Sequence, residues 1–344
     1  MRGNGITYDT GFFNGGVSTH EPFDPVVVRR EMRVIHDDLH CNAVRVTGGD
    51  PHRLEMAATH AAEAGLEVWF CPFTFELTSD ELLALVDDCA QRAQRLLTQD
   101  AKVVFLPGSE LSLFNKGFIP GDVLSDRLGV FASPDRARAL GEVPGRINDF
   151  LGRAVDVVKA RFRGKISYAS LPFERVDWGQ FDYIATDAAY RSIERADRYP
   201  SDIRAFVAQG KPAAITEFGC CTYRGAADRG GHGDQIIEWE GATPVRLTGD
   251  YVPDEAEQAR YVMESLDVFN AEGIDTAFVN TFACFHLPHQ TDPRLDLDLA
   301  SYGVVRVLKD RLGRAYPDMH WEPKAAFFAL ADRYRRDALK ESEP

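Results

Sequence analysis

Two glutamates stand where an apolar run of the sequence gives way to a turn. Glu217 ends the run Ala213–Thr216 and is followed by Phe218–Gly219, and Glu110 follows Val103–Leu106 and a Pro-Gly-Ser segment. Short apolar runs of this composition are typical of buried strands, so each carboxylate is expected at a strand end. Two carboxyl groups can divide acid–base work, because one can attack as an anion while the other holds a proton.

The elements that must position these glutamates form a regular series. Eight short apolar or aromatic runs alternate with longer helical patterns, which is typical of parallel sheets built from βα units. The runs are Gly5–Asp9, Ala43–Gly48, Glu67–Phe73, Lys102–Gly108, Lys165–Ser170, Tyr183–Ala188, Ala213–Glu217 and Thr276–Phe282. Eight strands suffice to close a barrel, so the sequence predicts an α/β fold of the (β/α)8 TIM-barrel class.

Helices are predicted between these runs, among them 26–39, 52–64, 82–97, 136–163 and 254–272. The long excursions 111–134, 220–252 and 285–320 all follow strands, where loops of a barrel's C-terminal face lie. No low-complexity linker divides the chain, so residues 1–344 are interpreted as a single TIM-barrel domain.

Glu110 and Glu217 fall at the ends of the fourth and seventh predicted strands, which places them across the barrel mouth from each other. Such a pair suits cleavage of a glycosidic bond. In retaining glycosidases the carboxyl groups lie about 5 to 5.5 Å apart, one acting as nucleophile and the other as acid and then base.

The motifs around these residues resemble a large clan of retaining glycoside hydrolases with (β/α)8 barrels, which includes cellulases, β-mannanases and β-galactosidases. Ile215–Gly219 is similar to the clan's nucleophile strand, and Glu110 matches its acid/base position. The resemblance implies that Arg45, in the second strand, supports the nucleophile. It also implies that Tyr190, beyond the sixth strand, hydrogen-bonds the nucleophile.

One position departs from the clan's pattern. Ser109 precedes the expected acid/base where the clan usually has an asparagine that contacts the sugar 2-hydroxyl. A serine hydroxyl is shorter and lacks the amide fork, so a different substrate contact is expected. The aromatic residue that the clan has at the end of the eighth strand corresponds to Phe282 or Phe285, where a tryptophan is more common.

Further candidates carry less specific signals. Trp178 is a possible platform for a sugar ring, and His286 is expected to rim the pocket as a polar contact. No metal is expected, because His286 and His289 lie on a proline-containing loop and the first strand lacks the His-x-His of metal-dependent barrel hydrolases. No cofactor is required by the proposed chemistry.

The amino-acid composition makes some classes of binding partner unfavourable. With 39 basic and 53 acidic residues the net charge is −14, which disfavours nucleic acid and anionic membranes. No run reaches the length of a membrane helix, and the first residues lack the apolar core of a signal peptide. We expect a cytoplasmic protein that acts on a small soluble glycoside; oligomeric state cannot be read from the sequence.

Three alternatives stay open. Actinobacterial proteins of a similar general appearance are labelled abortive-infection proteins, so a phage-defence role is one of them. A barrel that binds a sugar or metabolite without turning it over is the second, because fold alone does not determine function. A lyase or a metal-dependent hydrolase on the same fold is the third.

Overall fold

The computed structural model describes residues 1–341 and contains eight parallel strands in one sheet. Their order is β5-β4-β3-β2-β1-β8-β7-β6, so every ladder joins strands that are neighbours in a (β/α)8 barrel. The strands are β1 Gly3–Asp9, β2 Ala43–Gly48, β3 Glu67–Pro72, β4 Val103–Phe105, β5 Lys165–Ile166, β6 Ile184–Thr186, β7 Ala213–Phe218 and β8 Thr276–Val279. The predicted fold class is confirmed.

The barrel closes between β5 and β6 without a regular ladder. A single parallel bridge joins Ser170 to Thr186, and serine hydroxyls bond to backbone carbonyls of the β6 segment: Ser167 Oγ donates to the Tyr183 carbonyl at 3.2 Å and Ser170 Oγ to the Ala185 carbonyl at 2.7 Å. Because hydroxyls replace part of the backbone pairing, β5 spans two residues instead of the predicted six.

Ten helices surround the strands within residues 1–341. They are α1 Pro25–Arg33, α2 Pro51–Glu63, α3 Ser79–Leu97, α4 Leu111–Phe114, α5 Leu124–Val130, α6 Arg136–Gly141, α7 Val143–Arg161, α8 Tyr199–Val207, α9 Glu255–Glu272 and α10 Ala325–Glu341. The first three begin at side-chain caps, Asp24, Asp50 and Thr78, which accept bonds from first-turn amides. None of these helices combines the length and apolar character needed to cross a membrane.

Two helix predictions need correction. The stretch predicted as one helix over 136–163 is divided into α6 and α7, because Pro144 suits the first turn of a new helix and not a helix interior. The helix predicted over 26–39 ends its regular α-helical part at Arg33 and continues as a π-helical turn, Val34–Asp38. Helix α8 lies between β6 and β7, an interval for which the sequence analysis gave no helix bounds.

The three long excursions carry structure of their own. Segment 111–134 contains α4 and α5, and segment 220–252 contains the hairpin Ile237–Glu240 with Thr243–Leu247. Strand Val305–Val307 in the third segment pairs antiparallel with Trp321–Pro323. A further short hairpin, Phe13–Asn14 with Val17–Ser18, follows β1.

Aromatic rings fill the lower interior of the barrel. Trp69 on β3 has its ring centroid 5.1 Å from that of Tyr183 and 5.0 Å from that of Phe278. These three side chains are buried together with small residues of the neighbouring strands. Gly5 on β1 pairs with Phe278 on β8, and a Cβ on Gly5 would lie 2.4 Å from the Phe278 ring. The interior therefore depends on a glycine at this position.

We predict that Gly5→Ala destabilises the protein by about 1–3 kcal/mol, because the added methyl group overpacks a filled interior. Gly129→Ala is the matched control, since Gly129 lies in α5 with nothing within 4 Å of the added Cβ. That control is expected to stabilise by up to about 1 kcal/mol through helix propensity. Urea unfolding midpoints give both values; equal midpoints for the two variants would contradict the packing argument.

Candidate active site

Glu217 lies near the C-terminal end of β7 with its carboxylate held by three side chains. Arg45 Nη1 donates to Oε1 at 2.9 Å, and the Tyr190 hydroxyl donates to Oε2 at 3.1 Å. The Asn280 amide reaches Oε2 at 3.5 Å and donates to the Tyr190 oxygen at 2.9 Å. The side chain keeps 19% of its surface exposed, so the carboxylate is fixed yet accessible.

Arg45 is fully buried in the barrel interior. It projects from β2 and forms a second ion pair, from Nη2 to Asp187 Oδ2 at 3.3 Å, beside its bond to Glu217. Nη1 also donates to the Thr216 carbonyl at 3.1 Å. A buried guanidinium is stable only with such partners, and its planar fork fixes the two carboxylates relative to each other.

Glu110 follows β4 in a left-handed backbone conformation, with φ 46° and ψ 37°. Its amide donates to the Ala169 carbonyl at 2.9 Å, and its own carbonyl accepts from Leu113 and Phe114 in the first turn of α4. A non-glycine residue in this conformation is uncommon, and such positions cluster at functional sites. The tight turn places Glu110 at the C-terminal end of the barrel, the end that also carries Glu217.

The two glutamates differ in their electrostatic surroundings. Burial raises the pKa of Glu110 well above its usual range, and the negative charges of Asp187, Glu217 and Glu174 raise it further. Burial and the Asp187 charge also raise the pKa of Glu217, to about 7, whereas Arg45 and Tyr190 lower it. The pair therefore favours a proton on Glu110 and, of the two groups, the anion on Glu217.

Ser109 is 1% exposed, and its hydroxyl donates to Asp187 Oδ2. The side chain that the sequence analysis expected to contact substrate is therefore buried and engaged by Asp187. Asp187, just after β6, and Asn280, just after β8, belong to the same cluster, and the sequence reasoning did not select either of them. Both are polar residues at strand ends, which is the signal that identified Glu110 and Glu217.

The structure does not bring every predicted residue to this cluster. Phe282 is completely buried and packs edge-on against Trp321, with ring centroids 5.4 Å apart. Strand β8 ends at Val279, three residues earlier than predicted, so Phe282 points into the core. Trp178 lies before β6, and its carbonyl accepts from Lys211, which lies two residues before the start of β7. That is the barrel end opposite Glu217.

Phe285 and His286 lie in the segment after β8. The Phe285 ring stacks on His20 at 3.6 Å between centroids, and both line a cavity of about 410 Å³ that neither glutamate lines. His286 is half-buried, and burial lowers its pKa to about 4, so it is neutral near pH 7. Its ring lies 6.5 Å from that of Trp239 on the hairpin.

Cysteines and histidines do not form a metal cluster within residues 1–341, where no group of three or more potential ligands was found. His289 bonds through Nδ1 to Asp296 at 2.9 Å. Cys220 and Cys221 follow β7 and are each 1% exposed, and all six cysteines are free thiols.

No family model and no curated protein matches the sequence. Solved structures match over nearly its whole length. A GH113 β-1,4-mannanase in a complex has a TM-score of 0.61 and 14% identity, over 97% of this chain and 98% of the mannanase. A GH113 β-mannanase from Alicyclobacillus acidocaldarius in complex with ManMIm has a TM-score of 0.58 and 16% identity, over 97% of each chain.

A third neighbour is β-glucuronidase 3 from Bacteroides uniformis, with a TM-score of 0.59 and 14% identity. The match covers 97% of this chain but 38% of the glucuronidase. At these identities the likeness establishes the barrel fold and agrees at that level with the glycoside hydrolase resemblance. It does not confirm the abortive-infection resemblance.

We predict that Arg45→Met destabilises the protein by about 3–5 kcal/mol at pH 8, because it leaves the buried Asp187 and the partly buried Glu217 without their cation. The loss should shrink at pH 5, where Glu217, with its raised pKa, is protonated and needs no partner. Adding Glu217→Gln to Arg45→Met should recover part of the stability at pH 8. Urea unfolding at both pH values measures this; a pH-independent loss would contradict it.

Proposed function

We propose that the protein is a retaining glycoside hydrolase with Glu217 as nucleophile and Glu110 as acid/base. The observation that carries this proposal is that two glutamates at one end of the barrel have different neighbouring groups. Glu217 accepts bonds from Arg45 and Tyr190, which favour the anion, whereas three carboxylates surround Glu110 and favour its proton. A double displacement requires this division of protonation states.

The reaction then has two steps. Glu217 attacks the anomeric carbon while the Glu110 proton moves to the departing glycosidic oxygen, which leaves a glycosyl ester on Glu217 and an anion on Glu110. Glu110 next takes a proton from water, the hydroxide attacks the same carbon, and the ester bond to Glu217 breaks. Tyr190 and Asn280 hold Oε2 of Glu217, and Arg45 holds Oε1, so the carboxylate has a fixed orientation.

The charges favour a neutral sugar over a uronic acid. Among the described residues that bond to Glu217 or Asp187, Arg45 is the only cation, and both its ion pairs are internal to the protein. A sugar carboxylate next to this cluster of carboxylates would be repelled. We propose small soluble glycosides of a neutral hexose as the substrate class, with β-mannosides first because of the mannanase-like fold.

We predict that a screen of aryl β-glycosides finds a substrate whose turnover falls by several orders of magnitude in Glu217→Ala. Glu110→Ala should lose about 10²–10⁴-fold on substrates with poor leaving groups and less on activated aryl glycosides, since these need no proton. Azide should restore turnover in Glu110→Ala by attacking the ester in place of activated water.

Glu31→Gln is a matched control, because Glu31 is a buried carboxylate bonded to Tyr8 and Trp321 outside the cluster. It should retain the substrate's kcat/KM. Full activity of Glu217→Ala would refute the assignment. Binding of a glycoside without turnover by the unmodified protein would instead support a sugar-binding barrel.

A further inference from the structure

Asp187 connects three other strands of the barrel. Its side chain is fully buried just after β6, and Oδ2 accepts from Arg45 of β2 and from the Ser109 hydroxyl after β4. Its amide donates to the Ser170 carbonyl at 3.1 Å, at the seam where β5 and β6 lack a regular ladder. No sequence motif pointed to Asp187, yet it contacts Arg45, which holds Glu217, and Ser109, which directly precedes Glu110.

Burial excludes direct contact with a substrate. Asp187 therefore acts through its bonds to Arg45 and Ser109, each of which leads to one glutamate, and through its charge. Arg45 bonds to Asp187 through Nη2 and to Glu217 through Nη1. Because the guanidinium is planar, the bond to Asp187 also fixes the position of Nη1, which holds the proposed nucleophile. Ser109 directly precedes Glu110, so its bond to Asp187 fixes the start of the left-handed turn.

We propose that Asp187 is a positioning residue that holds Arg45 and Ser109 and thereby sets the different roles of Glu217 and Glu110. This inference rests on the proposed glycosidase function for its kinetic consequences, but its structural part does not require turnover. Asp187 and Ser109 form one unit in this arrangement.

The charge of Asp187 supports the same conclusion. The titratable or charged groups that face it are Arg45 on β2, Cys71 on β3, Glu110 after β4, Tyr190 after β6 and Glu217 on β7. Next to burial, Asp187 is the largest cause that raises the pKa of Glu110 and of Glu217. The charge of Asp187 therefore opposes simultaneous ionisation of Glu217 and Glu110 and favours the protonated form of Glu110.

The kinetic experiment compares Asp187→Asn with Ser109→Ala. Asparagine keeps the shape and can still accept from Ser109, but it removes the charge. We expect kcat to fall at least tenfold with a smaller change in KM, and the acidic limb of the kcat/KM profile to move down by about one pH unit, because Glu217 loses a repelling neighbour. Ser109→Ala keeps the charge and should leave the limb in place.

The double variant Ser109→Ala/Asp187→Asn should be no worse in kcat than Asp187→Asn, because residues that act as a unit are not additive. Additive losses with unmoved pH limbs would show that Asp187 is only a structural residue and would overturn the proposal. If Asp187→Asn does not fold, Ser109→Ala alone decides: the proposal requires a lower kcat at unchanged KM, and an unchanged kcat contradicts it.

A second measurement needs no substrate. Because folding raises the pKa of Glu217 from 4.5 to about 7, its contribution to stability is present below pH 4.5 and is lost as the pH rises through 7. This loss, measured as the fall in Tm between pH 5 and pH 8 relative to Glu217→Gln, should be smaller in the Asp187→Asn background. An equal fall in both backgrounds would refute the Asp187 proposal, whereas absence of any glycoside turnover would refute the proposed function alone.

Discussion

The candidate site depends on one buried cation between two carboxylates. Arg45 is enclosed by the barrel and bonds to Glu217 at 2.9 Å and to Asp187 at 3.3 Å. Removing Arg45 leaves both carboxylates without a compensating charge, and Asp187 among them is fully buried, which is far less favourable than the intact triad. The strands that carry these residues are therefore fixed relative to one another by electrostatics as well as by the backbone ladder.

This triad lies above an interior that is filled by aromatic rings. Trp69 pairs in register with Arg45 across β3 and β2, and its ring packs on Tyr183 and Phe278. The lower half of the barrel is thus apolar and closed, and the polar groups collect at the C-terminal end, as in other barrels of this class. Burial in this region raises the pKa of both Glu110 and Glu217, and the nearby charge of Asp187 raises both further.

Much of this arrangement was accessible from the sequence. The eight strands were located because apolar runs recur at βα spacing. Glu110 and Glu217 were selected because they follow such runs, and Arg45 was selected from the resemblance to the glycoside hydrolase clan. Strand ends were less predictable: β8 stops at Val279, with Asn280 at the Glu217 carboxylate and Phe282 in the core. Trp178 was misplaced in the expected site because the short β5–β6 connection returns to the opposite barrel end. Such shifts follow from tertiary packing, which a single sequence does not specify.

The contact with Asp187 explains the presence of a serine at position 109. The Ser109 hydroxyl is short enough to lie beside the Asp187 carboxylate, to which it donates a charge-assisted bond. In return, the carboxylate is stable in the barrel only because Arg45 and Ser109 both donate to it. Ser109, which stands where the clan that the motifs resemble usually has an asparagine, therefore forms a hydrogen-bonded pair with Asp187 across the barrel. Under the proposed function, a contact to the sugar 2-hydroxyl must therefore come from a residue other than Ser109.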